Sequence, residues 1–514
     1  MNGTTNRSDA RIHQADIVIV GAGAAGAMAA LAATEQGATF VGLDQLGEFG
    51  GTAIVSGGGL SVAGSSLQAE KGIEDSPERA FHDMVDEQSE ADEEWARFYY
   101  GRGAEQLFGW LRSQGLEITS ISLNEGDSVP RRHVPKGMGL GLMTRLWEVH
   151  HEKDLAGCWH FGMTAKDLLW EGGRVVGVLA QHAEGQEHEF RGRAVVVATG
   201  GFAGNLSMVL RHHPRLAAVG RALAEGGVGA QGTGHEMLLR HGATMVNAQN
   251  IVIYVYATPD YEDPTGARGL VCRGIENCIW VNAAGERFHD ESLNGGIYGA
   301  TALLRQESAM CWAILDNDMA GRIDVADPRY RHGPEVIRER VWQLLRESPY
   351  IASGNTLREL AENAGFDPGR FEQTITGWNE LLASGAERDP LTSRKLAGLK
   401  PFVEPPFHAM QFLPLARKNQ GGIRTDLRCR VQTADGDLIP GLYAAGELCG
   451  FAAAATSPAA GRSRASCSAA RSSADGSPAP GRPRGRRPRA TPPIGRGGGS
   501  AGLGCASLFE AGDH

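Results

Sequence analysis

Ile17-Val18-Ile19-Val20 runs without a break into Gly21-Ala22-Gly23-Ala24-Ala25-Gly26, and this junction constrains the fold more than any other stretch of the chain. Four β-branched apolar residues in a row form a strand buried on both faces, the pattern of a parallel sheet. An alanine-rich helix follows and stops at Gly37, a natural C-cap. Thr39-Phe40-Val41-Gly42-Leu43 forms the second strand, and Asp44 ends it. In such a unit Gly21 permits the tight turn, Gly23 lets backbone approach a pyrophosphate, and Gly26 lets helix pack on strand. The helix N-terminus adds free N–H groups and the positive end of a dipole. Asp44 lies 23 residues beyond Gly21, at the distance where a carboxylate reaches ribose hydroxyls and favours a ribose without a 2′-phosphate. The unit predicts a dinucleotide site on a Rossmann-like sheet. On its own it does not separate NAD from FAD.

The 514 residues, 42% of them hydrophobic, suffice for two or three domains with sizeable cores. A net charge of −10 argues against a nucleic-acid partner, which would require basic surface. No apolar run approaches the roughly 18–20 residues of a membrane span. The stretch Met1–Asp16 is polar and lacks the apolar core of a secretory signal, so the expected location is cytoplasmic. The eight cysteines contain no CxxC pair, and no His/Cys cluster has zinc spacing, so no metal site is expected.

Later segments narrow the cofactor. Gly50-Gly51-Thr52 and Ser56-Gly57-Gly58-Gly59 follow the second strand, and such small residues let a loop lie against a flat ring system. Val195-Val196-Val197-Ala198-Thr199-Gly200-Gly201 is another buried strand ending in glycines, and Tyr443-Ala444-Ala445-Gly446-Glu447 follows much later. In this order the segments, from about Asp16 to Phe451, resemble the fumarate reductase/succinate dehydrogenase flavoprotein superfamily, which also contains the 3-ketosteroid Δ1-dehydrogenases. The resemblance implies FAD in an extended pose. Gly21, Gly23, Ala24, Ala25, Gly26 and Asp44 would bind its ADP half, with Gly200 and Gly201 close by. Gly50, Gly51, Thr52, Ser56, Gly57 and Gly58 would line the isoalloxazine, and Glu447 would hold the ribityl chain. Ala165, Thr199 and Gly446 complete the set that the resemblance assigns to the cofactor.

The expected fold is α/β: a discontinuous Rossmann-like FAD-binding domain (13–246 and 401–451) with an inserted α+β capping domain that carries the substrate (247–400). In the middle part Cys278-Ile279-Trp280-Val281-Asn282 is a predicted strand and Ala283-Ala284-Gly285-Glu286 a hairpin turn, with Arg287-Phe288 beginning the return strand. Thr356 to Leu382 predicts two helices around Asp367-Pro368-Gly369.

Members of the superfamily move a hydride between flavin and a carbon beside an activating carbonyl or carboxylate, while a second group moves a proton. The fumarate reductases place an arginine shortly after a motif that here reads Gly285-Glu286-Arg287-Phe288-His289-Asp290-Glu291. The corresponding position falls near Gly295, which argues against fumarate. Tyr298 lies close by, though not at the offset of the steroid dehydrogenases. Where the fumarate reductases carry histidine before Gly421-Gly422, this chain has Ala416-Arg417-Lys418-Asn419-Gln420. Arg417 and Lys418 are candidates to bind a carbonyl or carboxylate; Arg287 and Tyr298 complete the catalytic candidates, with an ion-pair role open for Arg287. The expected activity is an FAD-dependent dehydrogenase or ene-reductase acting on a small molecule, with the electron acceptor undetermined. Two alternatives are a flavin amine or alcohol oxidase and an FAD-deficient product of a frameshifted gene.

The last alternative comes from the composition beyond Phe451. Ala, Arg, Ser, Gly and Pro dominate Ala452–His514, too little apolar surface to offset the entropy of ordering, so the segment is expected to be disordered. If one G is restored after the Phe451 codon, GC-rich codons for Ala452–Arg471 can encode a glycine-rich turn and a helix start instead. By the same resemblance, a helix there would direct its N-terminal dipole at the flavin's pyrimidine carbonyl and stabilise charge on reduced flavin. Restoring the base should therefore raise a substoichiometric flavin content to one FAD per chain. Full occupancy and a protease-resistant tail in the chain as given would contradict the frameshift.

Overall fold

The computed structural model describes residues 11–87, 92–124, 126–227, 229–293, 296–332 and 335–450. The tail from Ala452 and the position near Gly295 lie outside these residues. Strand β1 (Ile17–Val20) turns into helix α1 (Ala24–Glu35), which returns through Gly37 to β2 (Phe40–Asp44). β3 (Trp159–Phe161) and β4 (Ala194–Val197) join them. All run parallel in one six-stranded sheet, in the order Arg430–Gln432, Leu438–Ala444, β4, β1, β2, β3. Only the edge pair Arg430–Gln432 with Leu438–Ala444 is antiparallel.

The unbroken apolar run of β1 exists because both faces are covered. Ile17 and Ile19 pack with Ala27, Ala30 and Leu31 of α1, whereas Val18 and Val20 pack with Val178 and Phe190 of a second, four-stranded sheet. Among the described residues no helix is long and apolar enough to cross a membrane.

A third sheet of eight strands occupies the middle of the chain. β5 (Leu223–Ala224) pairs at its margin, and β6 (Ile251–Pro259), β7 (Gly269–Arg273) and the 13-residue β8 (Phe407–Asn419) form its body. β8 belongs to this sheet although it lies beyond residue 400 in the chain. The two helices expected around Asp367 are present as Leu357–Ala364 and Pro368–Ala383. Thr356 and Asp367 cap them by accepting from the amides of Glu359 and Arg370.

One expectation fails here in part. Ile279–Val281 is a strand and Asn282–Glu286 closes a turn, but Arg287 forms only an isolated bridge to Val281, and the strand's true partner is Cys311–Leu315. Arg287 is instead buried in an ion-pair cluster away from the catalytic candidates on β8. Its guanidinium meets Glu291 at 3.0 Å and Asp389 at 2.7 Å, and its Cζ lies 4.4 Å from the Trp378 ring centroid. Arg394 closes the cluster on Glu291 at 2.7 Å. Two arginines thus balance two buried acids, and this pairing occupies the local GERF segment that resembles a catalytic motif. Arg287→Ala should take the paired arginine from Asp389, leave Glu291 with Arg394 alone, and lower stability by about 3–5 kcal/mol. Chemical denaturation checks this, and a loss below about 1 kcal/mol would show the cluster to be dispensable.

Candidate active site

A cavity of about 330 Å³ opens at the carboxyl ends of β1 and β2 and extends to the end of β8. The fingerprint forms its floor through Gly21, Gly23, Ala24 and Ala25. A smaller pocket of about 40 Å³ shares Gly21, Asp44 and Thr199 with it and runs past Ala165 to Gly234. Together they form one elongated cleft at the place where parallel α/β sheets bind their ligands.

The three fingerprint glycines answer three different needs. Gly21 has φ +109° and lies so close to the Ala198 carbonyl that a Cβ would overlap it. A Cβ on Gly26 would overlap the Gly21 carbonyl. Gly23, by contrast, has φ −75° and ψ −175°, which any residue adopts, and its Cβ would meet nothing within 4 Å. A side chain there would enter the cleft. α1 starts at this point without any side-chain cap, so its first amides point at the same space.

Asp44 lines both parts of the cleft. The amides of Ala22 and Leu46 donate to its two oxygens, each at 2.7 Å. Burial pushes its carboxyl up from the ordinary range, and the two amides oppose that shift. Thr199 lines the same space, while its Oγ1 is buried against Gly234 without a hydrogen-bond partner among the described residues.

At the far end the loop 51–57 forms one wall and Gly446-Glu447 another. Gly50 and Gly58 are not in the lining. Gly50 is bonded through its amide to the Ala22 carbonyl, and Gly58 packs on the backbone of Met138 and Gly139. Gly201 also lies behind the lining, where a Cβ would overlap the side chains of Asn419 and Glu447. Burial raises the Glu447 carboxyl, while the charges of Lys418 and Arg417 oppose the rise.

Arg417 and Lys418 both line the cavity, although neighbours on a regular strand face opposite sides. The reason is a β-bulge. On β6, Val252 pairs with Lys418 and the next residue, Ile253, pairs with Ala416, so Arg417 is the extra residue of β8. Arg417 Nη1 donates to the Glu225 backbone oxygen at 2.7 Å and is paired with the Glu225 carboxylate. Tyr298, by contrast, sits on the exposed face of helix Gly296–Leu304, outside the lining.

The structure adds residues that sequence patterns did not single out. Tyr254 and Arg273 line the cavity beside Arg417 and Lys418, and the Tyr254 and Tyr256 rings stack at 5.0 Å. Asn419 is buried between the sheets, and Glu225 lies behind Arg417. None of them has a local motif; each reaches the site through long-range strand pairing.

The FAD binding domain family matches residues 16–463. The chain belongs to this family, and its cofactor is FAD. It is 30% identical over 443 residues to a urocanate reductase of Eggerthella lenta, covering 85% of this chain and 70% of that protein. The crystal structure of a 3-ketosteroid-Δ4-(5α)-dehydrogenase from Rhodococcus jostii RHA1 is 26% identical, with a TM-score of 0.62 over 87% of this chain and 92% of the other. A flavocytochrome c3 fumarate reductase in its open conformation has the same fold, with a TM-score of 0.68 at 23% identity, covering 86% of this chain and 74% of the other.

The cleft fits that cofactor. The open face of Gly23 and the uncapped amides of α1 are groups that a dinucleotide would use. Gly23→Val should therefore abolish FAD binding while leaving the fold intact, because valine suits the backbone but fills the cleft. Flavin content and far-UV circular dichroism check this together; a valine variant that retains full flavin would remove Gly23 from the site.

Proposed function

We propose that the chain is an FAD-dependent dehydrogenase or ene-reductase acting on a carbon–carbon bond beside a carbonyl or carboxylate, with Arg417 and Lys418 holding the activating oxygen. The observation that carries this reading is the bulge on β8, which brings two adjacent cations to the same cavity as the 51–57 loop and Glu447. Gly21, Gly23, Ala24, Ala25, Asp44, Ala165 and Thr199 would hold the ADP half of the cofactor, and Gly51–Gly57 with Gly446 and Glu447 the flavin half.

Bound FAD supplies or accepts the hydride. The chain's own residues supply the electrostatics. When a hydride joins the carbon β to a carbonyl, negative charge develops on the carbonyl oxygen. Arg417 and Lys418 would stabilise that charge in place, without reorganisation. The guanidinium plane of Arg417 is fixed by Glu225, which leaves the rest of its donor fork for substrate. Tyr254, on the same wall, carries a hydroxyl able to give or take the accompanying proton.

The relatives support this chemistry: their names describe reduction of urocanate and fumarate and dehydrogenation of a ketosteroid. An amine oxidase fits less well. Its substrate is protonated at neutral pH, and Arg273, Arg417 and Lys418 would repel it.

Alanine at Arg417 or at Lys418 should slow substrate-dependent flavin reduction or reoxidation by roughly 10- to 100-fold, the loss of one charged hydrogen bond, while flavin content stays at the wild-type level. Anaerobic stopped-flow traces of the two variants provide the check. Wild-type rates in both would remove these residues from the site.

A further inference from the structure

We propose that Glu225 is the specificity-determining residue that makes the substrate end suited to a single carboxylate and unsuited to a dicarboxylate. The inference rests on the reading of Arg417 as a substrate ligand.

Glu225 follows β5, and that short strand is tied to β8 in parallel register, Leu223 to Leu415 and Ala224 to Ala416. The Glu225 amide continues the pairing by donating to the Ala416 carbonyl at 3.0 Å. The backbone therefore delivers the carboxylate to Arg417 with little freedom. Its side chain is only 17% exposed and that of Arg417 12% exposed. Both the Glu225 backbone oxygen and its carboxylate take Nη1 of Arg417, so one corner of the guanidinium is withdrawn from the cavity.

The charge balance follows from this pairing. Three cations, Arg273, Arg417 and Lys418, face the substrate end, and two carboxylates, Glu225 and Glu447, stand against them. One positive charge remains uncompensated. Behind Glu225 the next groups cancel among themselves: Arg268 and Arg329 are each paired with both Asp260 and Asp327. A substrate with one carboxylate leaves this end neutral. A second carboxylate leaves an excess negative charge in a partly buried site, which is costly. Glu225 does not line the cavity itself, so it acts through Arg417 and through its own field.

The test is equilibrium binding to the FAD-loaded protein, read as perturbation of the flavin absorption band, with crotonate and fumarate as probes. These two enoates have the same carbon chain length and differ by one carboxylate. Wild type should bind crotonate more tightly than fumarate. Glu225→Gln should shift the ratio toward fumarate by about tenfold, the effect of one charge a few ångströms away in a partly screened site. Glu225→Asp, which keeps the charge, should keep the wild-type ratio. An unchanged ratio in Glu225→Gln, or the same shift in Glu225→Asp, would overturn the assignment. Arg417→Ala separates the two levels. If it leaves crotonate binding unchanged, or if neither probe perturbs the flavin in any variant, the substrate reading of Arg417 fails. If it weakens crotonate while Glu225→Gln leaves the ratio alone, only the role of Glu225 fails.

Discussion

The side chain of Asn419 joins three segments that are distant in sequence, and the geometry of the site depends on that junction. Its Oδ1 accepts from the Phe202 amide at 3.0 Å, and its Nδ2 donates to the carbonyls of Gly421 and Glu447, each at 2.8 Å. The Asn419 amide donates to Glu447 Oε1 at 3.3 Å. The end of β8, the glycine turn after β4 and the Gly446-Glu447 turn are thus tied around a buried residue that is 2% exposed. Each of these buried groups would cost about 1–3 kcal/mol if left unpaired, so the network holds the walls of the cleft in one arrangement.

From this junction the cleft divides into two electrostatic regions. The dinucleotide end relies on backbone: amides at the start of α1, and Asp44 held by the amides of Ala22 and Leu46. The opposite end, proposed here for substrate, relies on side chains of β7 and β8, where cations outnumber carboxylates. The bulge at Arg417 links the two, because it turns an alternating strand into a two-residue cationic wall directly before Asn419.

The dinucleotide end was legible in the sequence because its constraints are local. Gly21 needs a positive φ, Gly26 needs a close approach, and Gly23 must leave space; all three act within one turn of chain. The capping of the helices by Thr356 and Asp367 was legible for the same reason. The end of the cleft at β8 was legible only in part. Arg417 and Lys418 stand before a recognisable glycine pair, but the bulge that aims them depends on pairing with Val252 and Ile253, some 165 residues earlier in the chain. Tyr254 and Arg273 come from other strands of the same sheet, Glu225 directly follows another, and none carries a local signature. Arg287 carries the letters of a catalytic motif, and of the two roles open for it the ion pair is the one its contacts fit: its partners are Glu291, four residues on, and Asp389 from a distant loop. Gly50 and Gly58 were read as facing a flat ring, yet their small size serves contacts with Ile54 and with Met138-Gly139.

The central claim is that one cleft brings FAD and the oxygen of an activated carbon–carbon double bond together at Arg417 and Lys418. The most direct test is to reduce the flavin-loaded protein anaerobically and mix it with a series of enones and enoates, each beside its saturated analogue. The account predicts that unsaturated members restore the oxidised flavin spectrum and saturated ones do not. If no member of the series reoxidises the flavin, while the saturated analogues also fail to reduce the oxidised form and amines or alcohols do bleach it, the account is wrong.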